Sequence, residues 1–586
     1  MKLNRNLIFV MLLFLIVLVS YLNIFQNEFA WDDFFFITDN MHIKDLGNTP
    51  DFFTQPSTGD LYRPVRQVFY AINYRIWGLN TFGYHLNSIL LHFFVTLLFY
   101  FITLKLTNKS NFSFIAALLF AAHPVHVERI TNMTATFDVF GILFLLFSFF
   151  FYILYFKNNG KKYYYLSVVF YLIGLFSSEE AITLILILFL YDFAFNYAIN
   201  LSNIKSLLKK YLPYIAVTAF YLIVRFSVLQ KIGRAESYFE QSFFGTLLTT
   251  TKIFAQYILI LIFPYNITIE RVVRFETTIF SITFLISLLF LILVLFLFVK
   301  SYKKSRIVFF SIGWFFITLL PFSNLVPQFT IMADRYLYLP SFGFVLFLAF
   351  LIFSINKIKI EPIKRYSKYI IVILSLLIAS FYVIVTIKTN LEWKDNFTLL
   401  SANLEKSPLG TRTHYAVALH YRNHGDYENA KKYALRAIEL ASRNYHAYEN
   451  LGTINAYQKN YDDAIKYYEK AIELNPKFYS AHNNLGLVYS YIGDFNNSIL
   501  YINKAIEINP ELSKAYNDLG TVYGQMGEFD KAIELITQAI EINPSEGSYY
   551  KNLAAIYQFL GDKENAEQLF QKASELKSFE ERVRMR

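Results

Sequence analysis

Cysteine is absent from the 586 residues. Disulfides, thiolate metal sites and a cysteine nucleophile are thereby excluded, while the redox compartment stays open. Also missing is a small-residue cleavage site before Trp31. Lys2, Arg5 and the apolar run Leu7–Phe25 therefore read as an uncleaved first membrane helix, not a removed signal. Long apolar runs are lacking after residue 390, and the composition beyond residue 400 is ordinary and charged. Yet 55% of the chain is hydrophobic, above the roughly 45–50% of a soluble protein. The excess lies before residue 390, so two regions in two solvents are implied. The net charge of +10 sits largely in short loops between apolar runs. Membrane topology accounts for it, and nucleic acid is not expected as a partner.

Twelve apolar runs fall between Leu7 and Val385. Six basic loops separate them: Lys2/Arg5, Lys105/Lys109, Lys157/Lys161/Lys162, Lys205/Lys209/Lys210, Lys300/Lys303/Lys304/Arg306 and Lys357/Lys359/Lys364/Arg365/Lys368. All are placed in the cytoplasm by the excess of Lys and Arg there. The first four alternate correctly, but three runs lie between Lys210 and Lys300. Phe243–Phe263 is the weakest, containing Thr249, Thr250, Thr251, Lys252 and Gln256. If it lies along the outer surface, about eleven spans result and the C-terminal region is external.

That region repeats every 34 residues: Pro476, Pro510 and Pro544; Leu451, Leu485, Leu519 and Leu553; Ala464, Ser498, Ala532 and Ala566. Gly493, Gly527 and Gly561 mark turns. The period and the small residues are those of tetratricopeptide (TPR) helix pairs. The expected architecture is all-α: a membrane bundle over 1–390 with a long external loop at 26–83, a linker at 391–410, about five repeats over 411–578, and a tail at 579–586.

Polar groups gather at the external helix ends. Asp32 and Asp33 follow the first span and could serve as a general base or hold a divalent cation; a solvated loop start is the plainer alternative. His123, His126 and Glu128 end the third span, where a metal or a polar wall are the options. Glu179 and Glu180 lie between two apolar runs, costly there unless facing water or a cation. Asp334, Arg335 and Tyr338 open a later span, and Arg63 and Arg66 lie in the first loop. Guanidinium groups suit phosphate; an internal Asp–Arg pair and an aromatic belt are the alternative.

Together, the external acidic pair, Tyr62-Arg63-Pro64, His123-Pro-x-His126-x-Glu128, Asp334-Arg335-x-Leu337-Tyr338-Leu339-Pro340-Ser341 and the TPRs resemble the transmembrane and TPR repeat-containing (TMTC) O-mannosyltransferases. The resemblance covers most of the chain and implies a GT-C glycosyltransferase fold using a polyprenyl-phosphate-linked sugar, mannose by family, on the non-cytoplasmic face. It makes Asp32 the catalytic base, with Asp33 as neighbour or alternative, and Glu128 a matching acidic position. Arg335 and Arg63 become lipid-phosphate contacts. Where family members often carry Lys-Glu, this chain has Ser178-Glu179.

The expected function is inverting sugar transfer to a protein or glycan hydroxyl, with the repeats binding the acceptor. The alternative is a membrane-anchored TPR scaffold for envelope assembly. A simple anchor needs neither many spans nor clustered carboxylates and arginines. Short loops and the uncleaved first helix fit a bacterial plasma membrane with external repeats; an endoplasmic reticulum membrane with lumenal repeats is the alternative.

Overall fold

The computed structural model describes residues 5–57, 61–158, 160–196, 204–230, 242–328 and 330–584. Outside them fall Lys2, residues 58–60 of the first external loop, residues 231–241 of the fourth and the end of the tail; the side chain of Lys205 is also outside. The described chain divides into two compact units, 1–402 and 403–586. The division falls in the expected linker, which is itself helical over Asn396–Lys406.

Backbone surrounded by hydrocarbon must satisfy its own hydrogen bonds, so the apolar runs of the first unit are helices. Among the described residues, eight are long and apolar enough to cross a membrane. A ninth results if Ser110–Ala122 and Pro124–Thr131, bent by 51°, form one span. Three of the remaining apolar runs form shorter helices. Lys161–Ser177, Leu184–Tyr191 and Arg306–Leu319 have 17, 8 and 14 residues. Two of the breaks fall where the 3-10 turns Pro124–His126 and Glu179–Thr183 carry polar residues inward. Phe243–Phe263, expected on the surface, forms the helix Phe243–Ile262 and meets the length and composition requirement.

The long loop after the first helix is folded in its described residues. Pro64 occupies the first turn of the helix Pro64–Trp77, where its missing N–H costs nothing. Tyr70 and Ala71 of that helix pack with Ile37, Ile43 and Phe52 onto Tyr84, Met133 and Phe137 at the starts of two spans. This cluster fixes the loop over the bundle's outer end.

The second unit is a run of helix pairs from Thr411–Asn423 and Tyr427–Leu440 to Gly547–Phe559 and Lys563–Arg584. Buried alanines let helices approach closely: Ala430, Ala464, Ala532 and their counterpart Ser498 are all fully buried. Each pair turns through a left-handed residue: Gly425, Lys459, Gly493, Gly527 and Gly561, with φ between 62° and 85°. Lys459 holds the one such position among these that lacks glycine.

Candidate active site

The turn after the first helix is strained on purpose. Trp31 has φ 58°, a region costly for a bulky side chain. Its N–H donates to Asn396 Oδ1 at 3.0 Å. The next two residues then diverge. Asp33 is buried, and its oxygens accept the N–H of Thr134 at 2.7 Å and of Ala30 at 3.2 Å. Burial pushes its pKa up to about 6, with Asp32's charge adding to that and the hydrogen bonds from Thr134 and Ala30 opposing it. Asp32 is half-buried and lines a cavity of about 340 Å³.

The cavity is walled by five carboxylates, Asp32, Glu128, Asp138, Glu179 and Glu180, and five arginines, Arg63, Arg66, Arg129, Arg225 and Arg335. Asp138 is the hub. Its Oδ1 accepts Arg63 Nη1 at 2.5 Å and Arg66 Nη1 at 2.8 Å, and its Oδ2 accepts Arg129 Nη1 at 2.7 Å. Arg63 also donates to Glu179 at 2.7 Å, and Arg129 pairs with Glu180. Arg129 Nε donates to the Arg335 carbonyl at 3.0 Å. Arg335 Nη1 donates to Glu128 Oε1 at 2.6 Å, and its backbone N–H to Glu128 Oε2 at 3.2 Å. Each of these carboxylates is thus neutralised by guanidinium, as buried charges require. Asp32 differs: its carboxylate takes no hydrogen bond and no ion pair from a described residue, although Arg335 acts on it electrostatically.

Of the residues expected from sequence, Asp32, Arg63, Arg66, Glu128, Glu179, Glu180 and Arg335 line this one cavity. The others are placed elsewhere. His123 Nε2 meets the Leu261 carbonyl at 3.2 Å, and His126 Nε2 meets Ser341 Oγ at 2.8 Å. Tyr338 meets His92 Nδ1 at 2.8 Å. All three residues are fully buried among helix ends, where they join spans. Asp334 is likewise buried, paired with Arg271 and accepting the Thr268 N–H at 3.0 Å, so it ties the non-helical segment after Phe243–Ile262 to the start of a later span. As a cation site the acidic pair fits poorly, because both Asp33 oxygens are already taken by backbone N–H groups. No group of three or more His, Asp or Glu suited to a metal occurs among the described residues.

Asp138 and Arg225 escaped the sequence reading. Asp138 had a signal: it is the one charged residue between Met133 and Phe156, and an ionisable group in such a run is a functional candidate by default.

A polytopic membrane segment carrying this cavity precedes a TPR array, and both halves have counterparts among known proteins. Residues 61–229 match the model of the dolichyl-phosphate-mannose-protein mannosyltransferases. Residues 411–444, 445–478, 478–545 and 511–578 match tetratricopeptide repeat models. The chain is a distant relative of the TMTC protein O-mannosyl-transferases over most of its length. It is 25% identical to a protein O-mannosyl-transferase of Caenorhabditis elegans across 74% of this chain and 63% of that one. Against protein O-mannosyl-transferase TMTC3 of Homo sapiens the identity is 24%, across 77% of this chain and 53% of that one. The chain thus spans between half and two thirds of the length of these relatives. Among solved structures, the crystal structure of MamA is similar to the repeats, at 27% identity over 28% of this chain and 97% of that one, with a TM-score of 0.25.

Proposed function

We propose that this protein transfers mannose from a polyprenyl-phosphate donor to a hydroxyl of a protein acceptor, with the cavity as its active site and Asp32 as its base. One observation carries the proposal: Asp32 is the cavity carboxylate that no described cation or N–H occupies. A base must have its oxygens available to the proton it takes. Asp32 removes the acceptor's hydroxyl proton as that oxygen attacks the sugar's anomeric carbon. The bond from that carbon to the phosphate oxygen breaks, and the lipid phosphate leaves with the electron pair. Arg335 spends one N–H on Glu128, and Arg66 Nε is buried with no partner. Their remaining N–H groups suit the charge that develops on the leaving phosphate. A single displacement with one base inverts the anomeric centre. The repeats recruit the acceptor, since such arrays present extended binding surfaces.

For the repeats to be external, the span count before them must be odd, and the helix Phe243–Ile262 decides this. Its first half packs on the returning chain: Lys252 Nζ pairs with Glu276 at 2.6 Å, and the Glu276 N–H donates to Thr249 Oγ1 at 2.9 Å. Glu276 also accepts Thr283 Oγ1 at 2.7 Å, at the start of the next span. The segment 263–281 is non-helical, so it cannot recross hydrocarbon. Ile282–Lys304 consequently starts on the side where Phe243–Ile262 starts, which supports eleven crossings with the latter along the outer surface. Asp32 and the TPR array are then both external.

The test uses purified protein with polyprenyl-phosphate-linked mannose, a nucleotide-linked mannose control and peptides retained by the repeats. Transfer from the lipid donor alone, with an inverted anomeric configuration by NMR, is the expected result. Transfer from the nucleotide sugar, retention, or no transfer from folded protein would overturn the proposal. The last outcome would favour a scaffold.

A further inference from the structure

A second cavity, of about 460 Å³, lies at the opposite end of the helix Ser110–Ala122 from Glu128. Its walls include Phe112, Phe350 and Phe353, and its ionisable residues are Lys109, Arg306 and Lys357. No carboxylate lines it. None of the three cations has an ion-pair partner among the described residues; Lys357 rests over the Phe350 ring at 5.5 Å, a contact that leaves its charge unneutralised. The residues come from three different basic loops, those around Lys109, Arg306 and Lys357. Two helices, Ser110–Ala122 and Arg306–Leu319, also begin here without a side-chain cap, adding N–H groups and positive dipole ends to the same wall.

We infer that this cavity binds the phosphate headgroup of an anionic phospholipid of the cytoplasmic leaflet. Loop cations placed only by topology need no cavity between them and no aromatic floor. Here three loops converge on a recess that is positive at its rim and apolar within. That combination matches a phosphate bonded to a hydrocarbon chain better than a free anion, which gains nothing from the phenylalanines. Anionic headgroups attract such juxtamembrane cations, and basic pockets between spans hold them. The site shares no lining residue with the candidate active site. The inference depends on the basic loops being cytoplasmic, not on the transferase reading.

The experiment compares full-length protein with a Lys109→Gln, Arg306→Gln, Lys357→Gln triple variant, both delipidated in neutral detergent. Phosphatidylglycerol, phosphatidylcholine and inorganic phosphate are added in turn, and binding is read by native mass spectrometry and by the thermal midpoint. All three positions are exposed, so the variant should melt with wild type before lipid is added. Phosphatidylglycerol should bind wild type, raise its midpoint, and lose affinity on the order of 100-fold in the variant, as three charges near a headgroup imply. Equal binding to wild type and variant, equal preference for phosphatidylcholine, or a matching shift with inorganic phosphate alone would each overturn the inference. A variant that melts early is replaced by the single Lys109→Gln, for which a several-fold loss is expected and no loss contradicts.

Discussion

In the repeat array, ion pairs join residues three positions apart on exposed helix faces, as Lys466 with Asp463 and Lys470 with Glu473 do. In the membrane half they join residues as far apart as Arg335 and Glu128, and the partners are largely withdrawn from water. The first kind decorates a fold already set by packing, at about 0.2–0.5 kcal/mol per pair. The second kind assembles the fold's outer end, because a guanidinium removed from water needs a carboxylate beside it. Each half therefore has its own expected response to mutation.

The largest contrast should come from Asp138→Ala, which strips the shared partner from Arg63, Arg66 and Arg129. A loss of about 3–5 kcal/mol is expected for breaking such a buried network, seen as a collapse of the thermal midpoint and of monodispersity. Lys466→Ala should leave both unchanged. Equal tolerance of the two substitutions would break the comparison.

Next comes a pH effect from Asp33. Folding raises its pKa from 3.8 to about 6, so the folded state holds the proton more tightly. Its contribution is fully present below 3.8 and is lost as pH rises through about 6. This amounts to about 3 kcal/mol across that window. Asp33→Asn should flatten this part of the stability profile, measured as melting against pH in one detergent.

Smaller effects belong to the repeats. A Cβ on Gly486 would lie 2.6 Å from Ile502 Cγ1 and 3.0 Å from the Ser498 carbonyl. Gly486→Ala should cost about 1–3 kcal/mol by overpacking. Circular dichroism of the array should register it while transfer to an acceptor not held by the repeats is spared. Smallest is a gain: Lys459→Gly relieves a left-handed lysine at φ 62° and should stabilise by about 1 kcal/mol. Calorimetry giving a loss would contradict that reading of the turn.

The same contrast explains what was legible in the sequence. The repeats are periodic, so Leu485 or Ala532 announces its own position; only the left-handed role of Lys459, disguised by its side chain, was hidden. In the membrane half, hydropathy located the long apolar helices, though not Pro64–Trp77. It could not count spans where Pro124 and Ser178 break the helix inside the apolar run, nor could it weigh Phe243–Ile262. Position at or beside the helix ends read as external pointed to seven residues that line the cavity. It pointed equally to His123, His126, Asp334 and Tyr338, which hold the spans together. Polarity at a helix end marks that a group has a partner to find, and only the fold shows whether that partner is protein. Asp138 was hidden for the converse reason, as one carboxylate within an apolar stretch.

Asp32 and Asp33 put this distinction in adjacent residues, and comparing them is the most direct measurement. Transfer rate and thermal midpoint would be determined for Asp32→Asn and Asp33→Asn alongside wild type. The account predicts that Asp32→Asn loses transfer by at least about 100-fold, in the range of general-base removal, with its midpoint unchanged. Asp33→Asn should keep transferring, because the oxygens of Asp33 are already taken by the backbone N–H groups of Thr134 and Ala30. The reverse pattern, an active Asp32→Asn beside a stable but inactive Asp33→Asn, would contradict the assignment of the free carboxylate as the base.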